Sequence, residues 1–205
     1  MSVSRVHDPK VDSLEHESSS SVSRRRFMEL ATGTAFVVGF YVPRRASEAA
    51  ERASFAANAF IRIDRQGNVT LIMPQVEMGQ GTYTSISMIL AEELDADWSR
   101  VRTEHAPPDE KNYANPALTE QATGNSNSVR AWWKPLRQAG ANTRACFVEA
   151  AARGWGVPPA ECRTENSTVV HDRSGRKASY GALVDRAAAI EVPKNVPLKN
   201  LDAFR

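Results

Sequence analysis

An α+β fold is what this sequence predicts, on three observations. Two stretches alternate apolar and polar residues about a glycine turn, residues 60–73 around Gln66-Gly67-Asn68 and residues 169–177 around Arg173-Ser174-Gly175. Each is the pattern of a β-hairpin with one buried face. Between and after them, apolar residues recur at helical spacing over residues 84–94 and 132–155.

In chain order, the first hairpin leads into Glu77-Met78-Gly79-Gln80-Gly81-Thr82-Tyr83-Thr84, a two-glycine turn opening a helix. Gly79 and Gly81 allow backbone angles and close approach that a side chain forbids. Thr82 or Thr84 is expected to cap the helix, whose first amides lack partners and suit an anion or polar cofactor. A strand-to-helix turn without any ligand accounts for the same residues. The helix is predicted to turn Ile86, Ile89, Leu90 and Leu94 inward and Glu92 and Asp95 outward. Asp97-Trp98-Ser99 interrupts it, and residues 101–105 follow as a strand.

Residues 106–128 read as a loop rich in Pro, Asn, Ser and Thr, and a loop of that length is usually functional or disordered. It closes on Thr123-Gly124-Asn125-Ser126-Asn127-Ser128, which suits either a simple helix N-cap or an anion-holding turn. The helix over 132–155 places Trp132, Leu136, Ala139, Thr143, Phe147, Ala151 and Trp155 along one side, with Pro135 expected in its first turn. Gly154-Trp155-Gly156, with Pro158 and Pro159, stops it. Ser179 caps a last helix through Leu183, Val184 and Ala187, and residues 192–205 form an extended tail with no core of its own.

With 41% apolar residues in 205, one ordinary core is affordable, and a net charge of +2 gives no case for a nucleic-acid partner. Cys146 and Cys162 cannot make a disulfide framework and are expected to be reduced packing residues. The dispersed His7, His16, His105 and His171 have no metal-ligand spacing, so no side chain is assigned a metal.

Residues 1–57 read as a leader and linker, 58–192 as a partial domain and 193–205 as the tail. Ser23-Arg24-Arg25-Arg26-Phe27, the apolar run over 31–42 and the Ala-rich 46–57 have the layout of a cleavable export leader. The apolar run is shorter than the roughly 20 residues that span a bilayer. The arginine pair resembles the twin-arginine signal, which implies the twin-arginine translocase as a partner and a periplasmic or membrane-associated location. A basic patch ahead of a chance apolar run is the other reading.

Five ordered segments carry a wider resemblance. They are Phe60-Ile61-Arg62-Ile63-Asp64-Arg65-Gln66-Gly67-Asn68-Val69-Thr70, Glu77-Met78-Gly79-Gln80-Gly81, Ala91-Glu92-Glu93-Leu94 with Trp98 and Val101, Leu136-Arg137-Gln138-Ala139-Gly140-Ala141 with Arg144, and Ser174-Gly175-Arg176 with Ser179-Tyr180-Gly181. Together they resemble the N-terminal part of the molybdopterin-binding (large, or beta) subunit of the xanthine oxidase/aldehyde oxidase family, particularly isoquinoline 1-oxidoreductase beta subunits.

The resemblance implies the first part of a molybdenum-cofactor-binding domain. It implies a molybdenum–molybdopterin cytosine dinucleotide in the full-length subunit, approached by Gly79, Gln80 and Gly81 and by Gly124, Asn125 and Ser126. It further implies iron–sulfur clusters on a small partner subunit, a downstream electron acceptor, and hydroxylation of aldehydes or N-heteroaromatics with oxygen from water. The catalytic glutamate of such enzymes lies in a Gly-Val-Gly-Glu-type segment absent here, so no catalytic residue is assigned, and Glu77 reads as a turn-stabilising carboxylate. These residues are therefore expected to be an N-terminal portion inactive by itself. A non-catalytic exported binding or interaction module reusing the fold is the alternative.

Overall fold

The computed structural model describes residues 54–194 and 196–204. The arginine pair, the apolar run and most of the Ala-rich stretch read as a leader lie outside the described residues.

Four strands form the first sheet in the order β1 (Ser54–Asn58), β2 (Ile61–Asp64), β3 (Val69–Met73) and β4 (Val101–His105). β1, β2 and β3 pair antiparallel, and β4 joins β3 in parallel. A parallel neighbour needs a crossover, and α1 (Thr82–Leu94) supplies it. The β2–β3 turn closes through Gly67 N–H donating to Asp64 O at 3.0 Å, with Gly67 at φ +84°. β1 starts at Ser54 and pairs with β2.

Beyond β4 come the one-turn α2 (Glu110–Tyr113) and the long α3 (Ser128–Trp155). A second sheet follows, β5 (Cys162–Glu165), β6 (Thr168–His171) and β7 (Arg176–Ser179), then α4 (Tyr180–Ala187). The second hairpin is β6–β7, with Gly175 at φ +68° in its turn, and β5 is a strand that periodicity alone does not reveal in four residues. Ser179 caps α4 by accepting from Ala182 N–H, as expected.

α1 packs on β3 and β4, α3 and α4 on β1 and β2, and α3 touches both α1 and α4. Ile61, Ile63, Leu71, Met73, Ile86, Leu90, Leu94, Leu136 and Phe147 are fully buried in the core between them. Each such side chain contributes about 2 kcal/mol of transfer free energy. Ile72 faces the other way and is covered by Ala106 and Tyr113. Tyr180 stacks on Phe147 at 4.3 Å, and its hydroxyl donates to Leu94 O at 2.7 Å, closing the C-terminal end of α1.

Several local expectations change. α3 starts at Ser128, so Pro135 sits inside the helix and beyond its first turn. Glu92 and Asp95 do not point into solvent: both bind Lys199 of the tail, whose Nζ donates to them at 3.0 and 2.6 Å. The tail segment, read as extended with no core of its own, is fastened over 196–204 to α1 and α3. Cys146 is buried and Cys162 half-buried, both as free thiols. Burial pushes the Cys146 thiol up to about 11.

Candidate cofactor-binding site

The candidate segments lie at the C-terminal ends of the parallel pair β3 and β4, where Ala106 N–H extends the ladder by donating to Met73 O at 2.9 Å. The chain then runs through Pro74, Gln75 and Val76 into the glycine turn. Gln75 is completely buried, its Nε2 donating to Pro74 O (3.0 Å) and Ala122 O (3.3 Å) and its Oε1 accepting from Ser128 Oγ at 3.1 Å. Asn115, also fully buried, donates to Ala122 O (3.2 Å) and Asn127 Oδ1 (2.9 Å). Val76 N–H donates to Thr123 Oγ1 at 2.8 Å. A buried amide that leaves a bond unmade costs about 1–3 kcal/mol, so this satisfied network fixes the base of the glycine turn against the base of the 123–128 loop.

The sequence reading missed Gln75 and Asn115. Their signal was faint: Gln75 directly follows an apolar strand and a proline, and Asn115 stands between Ala114 and Pro116.

Within the turn, Glu77 does the capping. Its Oε1 accepts from Gly79 N–H (2.7 Å) and Gly81 N–H (3.1 Å), and its Oε2 from Tyr83 N–H (3.0 Å). The Tyr83 amide above all, with the glycine amides, holds the Glu77 carboxyl below the usual glutamate range. The N-cap residue is Gly81, at φ +74°, and neither Thr82, which is buried, nor Thr84 caps the helix. Gln80 folds back over the same turn, Nε2 donating to Val76 O at 2.8 Å and Oε1 accepting from Met78 N–H at 2.5 Å. Glu77 thus already engages the amides of Gly79 and Gly81 in the turn and that of Tyr83 in the first turn of α1.

The second segment is built differently. Asn125 and Ser126 adopt left-handed angles, φ +56° and +49°, and α3 begins with no side-chain cap, because the Asn127 side chain is turned into the buried network. Gly79, Gly81, Gly124, Asn125 and Ser126 are all exposed. A Cβ built at Gly79, Gly81 or Gly124 meets nothing within 4 Å. These glycines face open space in the chain itself, the arrangement that lets a cofactor lie against bare backbone. Gly124 combines this with an ordinary backbone angle, whereas Gly79 and Gly81 also need glycine for their turn.

A cleft of about 680 Å³ adjoins the two segments, lined by Pro74, Val76, His105, Asp109, Gln121 and Thr123 among others. His105 Nδ1 there lies 2.7 Å from the Tyr83 hydroxyl. A larger cleft of about 1010 Å³ lies between α3, β5 and residues 190–194 and shares no residue with either segment, so size alone does not mark the candidate site. Among the described residues, no group of three or more His, Cys, Asp or Glu is placed to hold a metal ion.

The family profile described as the molybdopterin cofactor-binding domain matches residues 11–204, and the chain belongs to that family. It is 40% identical over 182 residues to the isoquinoline 1-oxidoreductase subunit beta of Brevundimonas diminuta, covering 86% of this chain and 23% of the relative. It is 33% identical over 172 residues to the membrane-bound aldehyde dehydrogenase [pyrroloquinoline-quinone] of Gluconacetobacter polyoxogenes, covering 80% and 21%. The crystal structure of quinoline 2-oxidoreductase from Pseudomonas putida 86 superposes with a TM-score of 0.48 at 17% identity, covering 78% of this chain and 22% of that one. The chain thus spans under a quarter of the length of the curated relatives it matches.

Proposed function

We propose that this chain is the N-terminal portion of the molybdopterin-binding subunit of an exported molybdenum hydroxylase that oxidises aldehydes or N-heteroaromatics. Membership of the cofactor-binding family supports this reading, as do two relatives named for isoquinoline and aldehyde oxidation. The observation that carries the site assignment is the pair of open, exposed backbone segments, 79–81 and 124–126, held to each other through Gln75, Thr123 and Ser128. When bound, the cofactor, read as the cytosine dinucleotide form, supplies the redox chemistry that inserts oxygen from water.

The chain's own residues bind and orient. Gly79, Gly81 and Gly124 give close backbone approach, and Gln80 presents the outer edge of an amide whose other contacts keep it in place. The uncapped first turn of α3 offers amide donors beside Asn125 and Ser126. Glu77 keeps the first turn in shape and is not free to act as a base while it holds three amides. Electrons leave through iron–sulfur clusters on a small subunit to a downstream acceptor, and the portion described here is inactive alone.

The test is dye-linked oxidation by the longer subunit expressed with its iron–sulfur partner, offered an aldehyde and an N-heterocycle in turn. Turnover of either supports the reading. Absence of turnover and of bound molybdenum in an assembled, folded pair leaves the non-catalytic module as the better account.

A further inference from the structure

The two candidate segments each lead into a helix, the 79–81 turn into α1 and the 124–126 loop into α3. Any ligand gripped by both segments depends on how these helices sit against each other. Their crossing is tight, since a Cβ added at Gly140 of α3 would stand 2.8 Å from Glu93 Cβ and 2.9 Å from Leu90 O of α1. Close packing sets the distance there, but apolar contact resists sliding and rotation poorly.

Directional contacts do the rest. Glu93, with no exposure at all, accepts from Arg137 Nε at 2.7 Å, and Arg137 Nη2 lies 2.6 Å from the same oxygen. Its second oxygen accepts from Lys199 N–H at 3.3 Å and faces Arg144 at 4.0 Å. Arg137 also donates to Lys199 O at 2.6 Å, while Lys199 Nζ donates to Glu92 O at 2.6 Å as well as to the Glu92 and Asp95 carboxylates. Phe204, further along the same segment, lies over the Arg137 guanidinium at 5.0 Å. One acid of α1, one guanidinium of α3 and one residue of the tail are thereby joined by hydrogen bonds of fixed direction. A buried ion pair is often no more stabilising than apolar residues of equal volume, so its distinctive contribution is to position.

We propose that the Glu93, Arg137 and Lys199 cluster is a clamp that, together with the Gln75 and Thr123 contacts at their bases, sets the separation of the two candidate segments, making Glu93 and Lys199 positioning residues for the site. The inference deepens the functional reading above and rests on it for its biological meaning. Its physical content is independent, because the separation can be measured with no cofactor present.

The experiment places spin labels at the exposed Met78 and Val129, as Met78→Cys and Val129→Cys in a Cys162→Ser background of the 205-residue chain, and records the distance distribution by electron double resonance. Lys199→Met, which keeps most of the side-chain length and removes the charge, should shift or broaden the distribution while circular dichroism stays that of the parent. Glu93→Gln, which loses charge and one acceptor with little change in volume, should act in the same direction and covers the case in which Lys199→Met fails to fold. An unchanged distribution in a folded variant of either kind overturns the clamp. The same substitutions in the full-length subunit with its partner should lower molybdenum content. If the parent assembly itself carries none, the functional reading fails, while the distance measurement still decides the clamp.

Discussion

Glu77 shows how much one side chain decides at the entrance to α1. The sequence marks the turn through its glycines and marks Glu77 as a local carboxylate, but Thr82 and Thr84 looked equally able to cap the helix. They do not, because the turn brings the carboxylate back onto three amides that the hydroxyls do not reach. The consequence is a pH signature. A carboxylate held below its ordinary value of 4.5 contributes stability that is fully present above that value and is lost as pH falls through the lowered one. Glu77→Gln should therefore be less stable than the parent at neutral pH, with the gap closing in the acid range below 4.5. Urea midpoints of both proteins across pH check this; a gap that stays constant with pH would mean that the charge of Glu77 plays no part.

Regular elements were the most readable level. The β2–β3 hairpin, α1, β4, α3, the β6–β7 hairpin and α4 follow from periodicity and turn residues, because each buries one face and the pattern repeats along it. What periodicity could not reveal were contacts set by tertiary packing: Glu93 buried on a helix, Lys199 drawn from the tail onto α1, and Gln75 and Asn115 in a polar network. A charge in a helical pattern gives no sign of whether a partner will arrive from residues a hundred positions away. The close α1–α3 crossing depends on Gly140, whose missing side chain leaves room for Leu90 and Glu93. Gly140→Ala should cost about 1–3 kcal/mol, because Leu90 O is backbone and cannot swing aside. Gly124→Ala, in open space at an ordinary backbone angle, should stay within about 0.5 kcal/mol of the parent. Thermal unfolding of the two variants side by side measures the contrast, and equal losses would contradict the packing account.

For the molecule as a whole, the proposed cofactor and the proposed export fit together, because an organic metal cofactor inserted into a folded protein calls for a route that accepts folded cargo. Replacing both Arg24 and Arg25 by Lys should retain the protein in the cytoplasm, since a receptor that reads guanidinium geometry is not satisfied by charge alone. Cell fractionation checks it, and unchanged export of the double variant, together with export from a strain lacking the translocase, would remove the twin-arginine reading. The cofactor assignment is the central claim. Gly81→Val is an ambiguous probe of it, because valine at φ +74° distorts the turn whether or not a ligand is present. Gly124→Val is cleaner, since its side chain starts into space that this chain leaves empty. The decisive measurement is the molybdenum content, by elemental analysis, of the full-length subunit assembled with its iron–sulfur partner, in the parent and in Gly124→Val. Molybdenum bound by the parent and largely lost from a Gly124→Val protein of unchanged thermal stability is the predicted result; equal molybdenum in both, or none in the parent, would contradict the assignment.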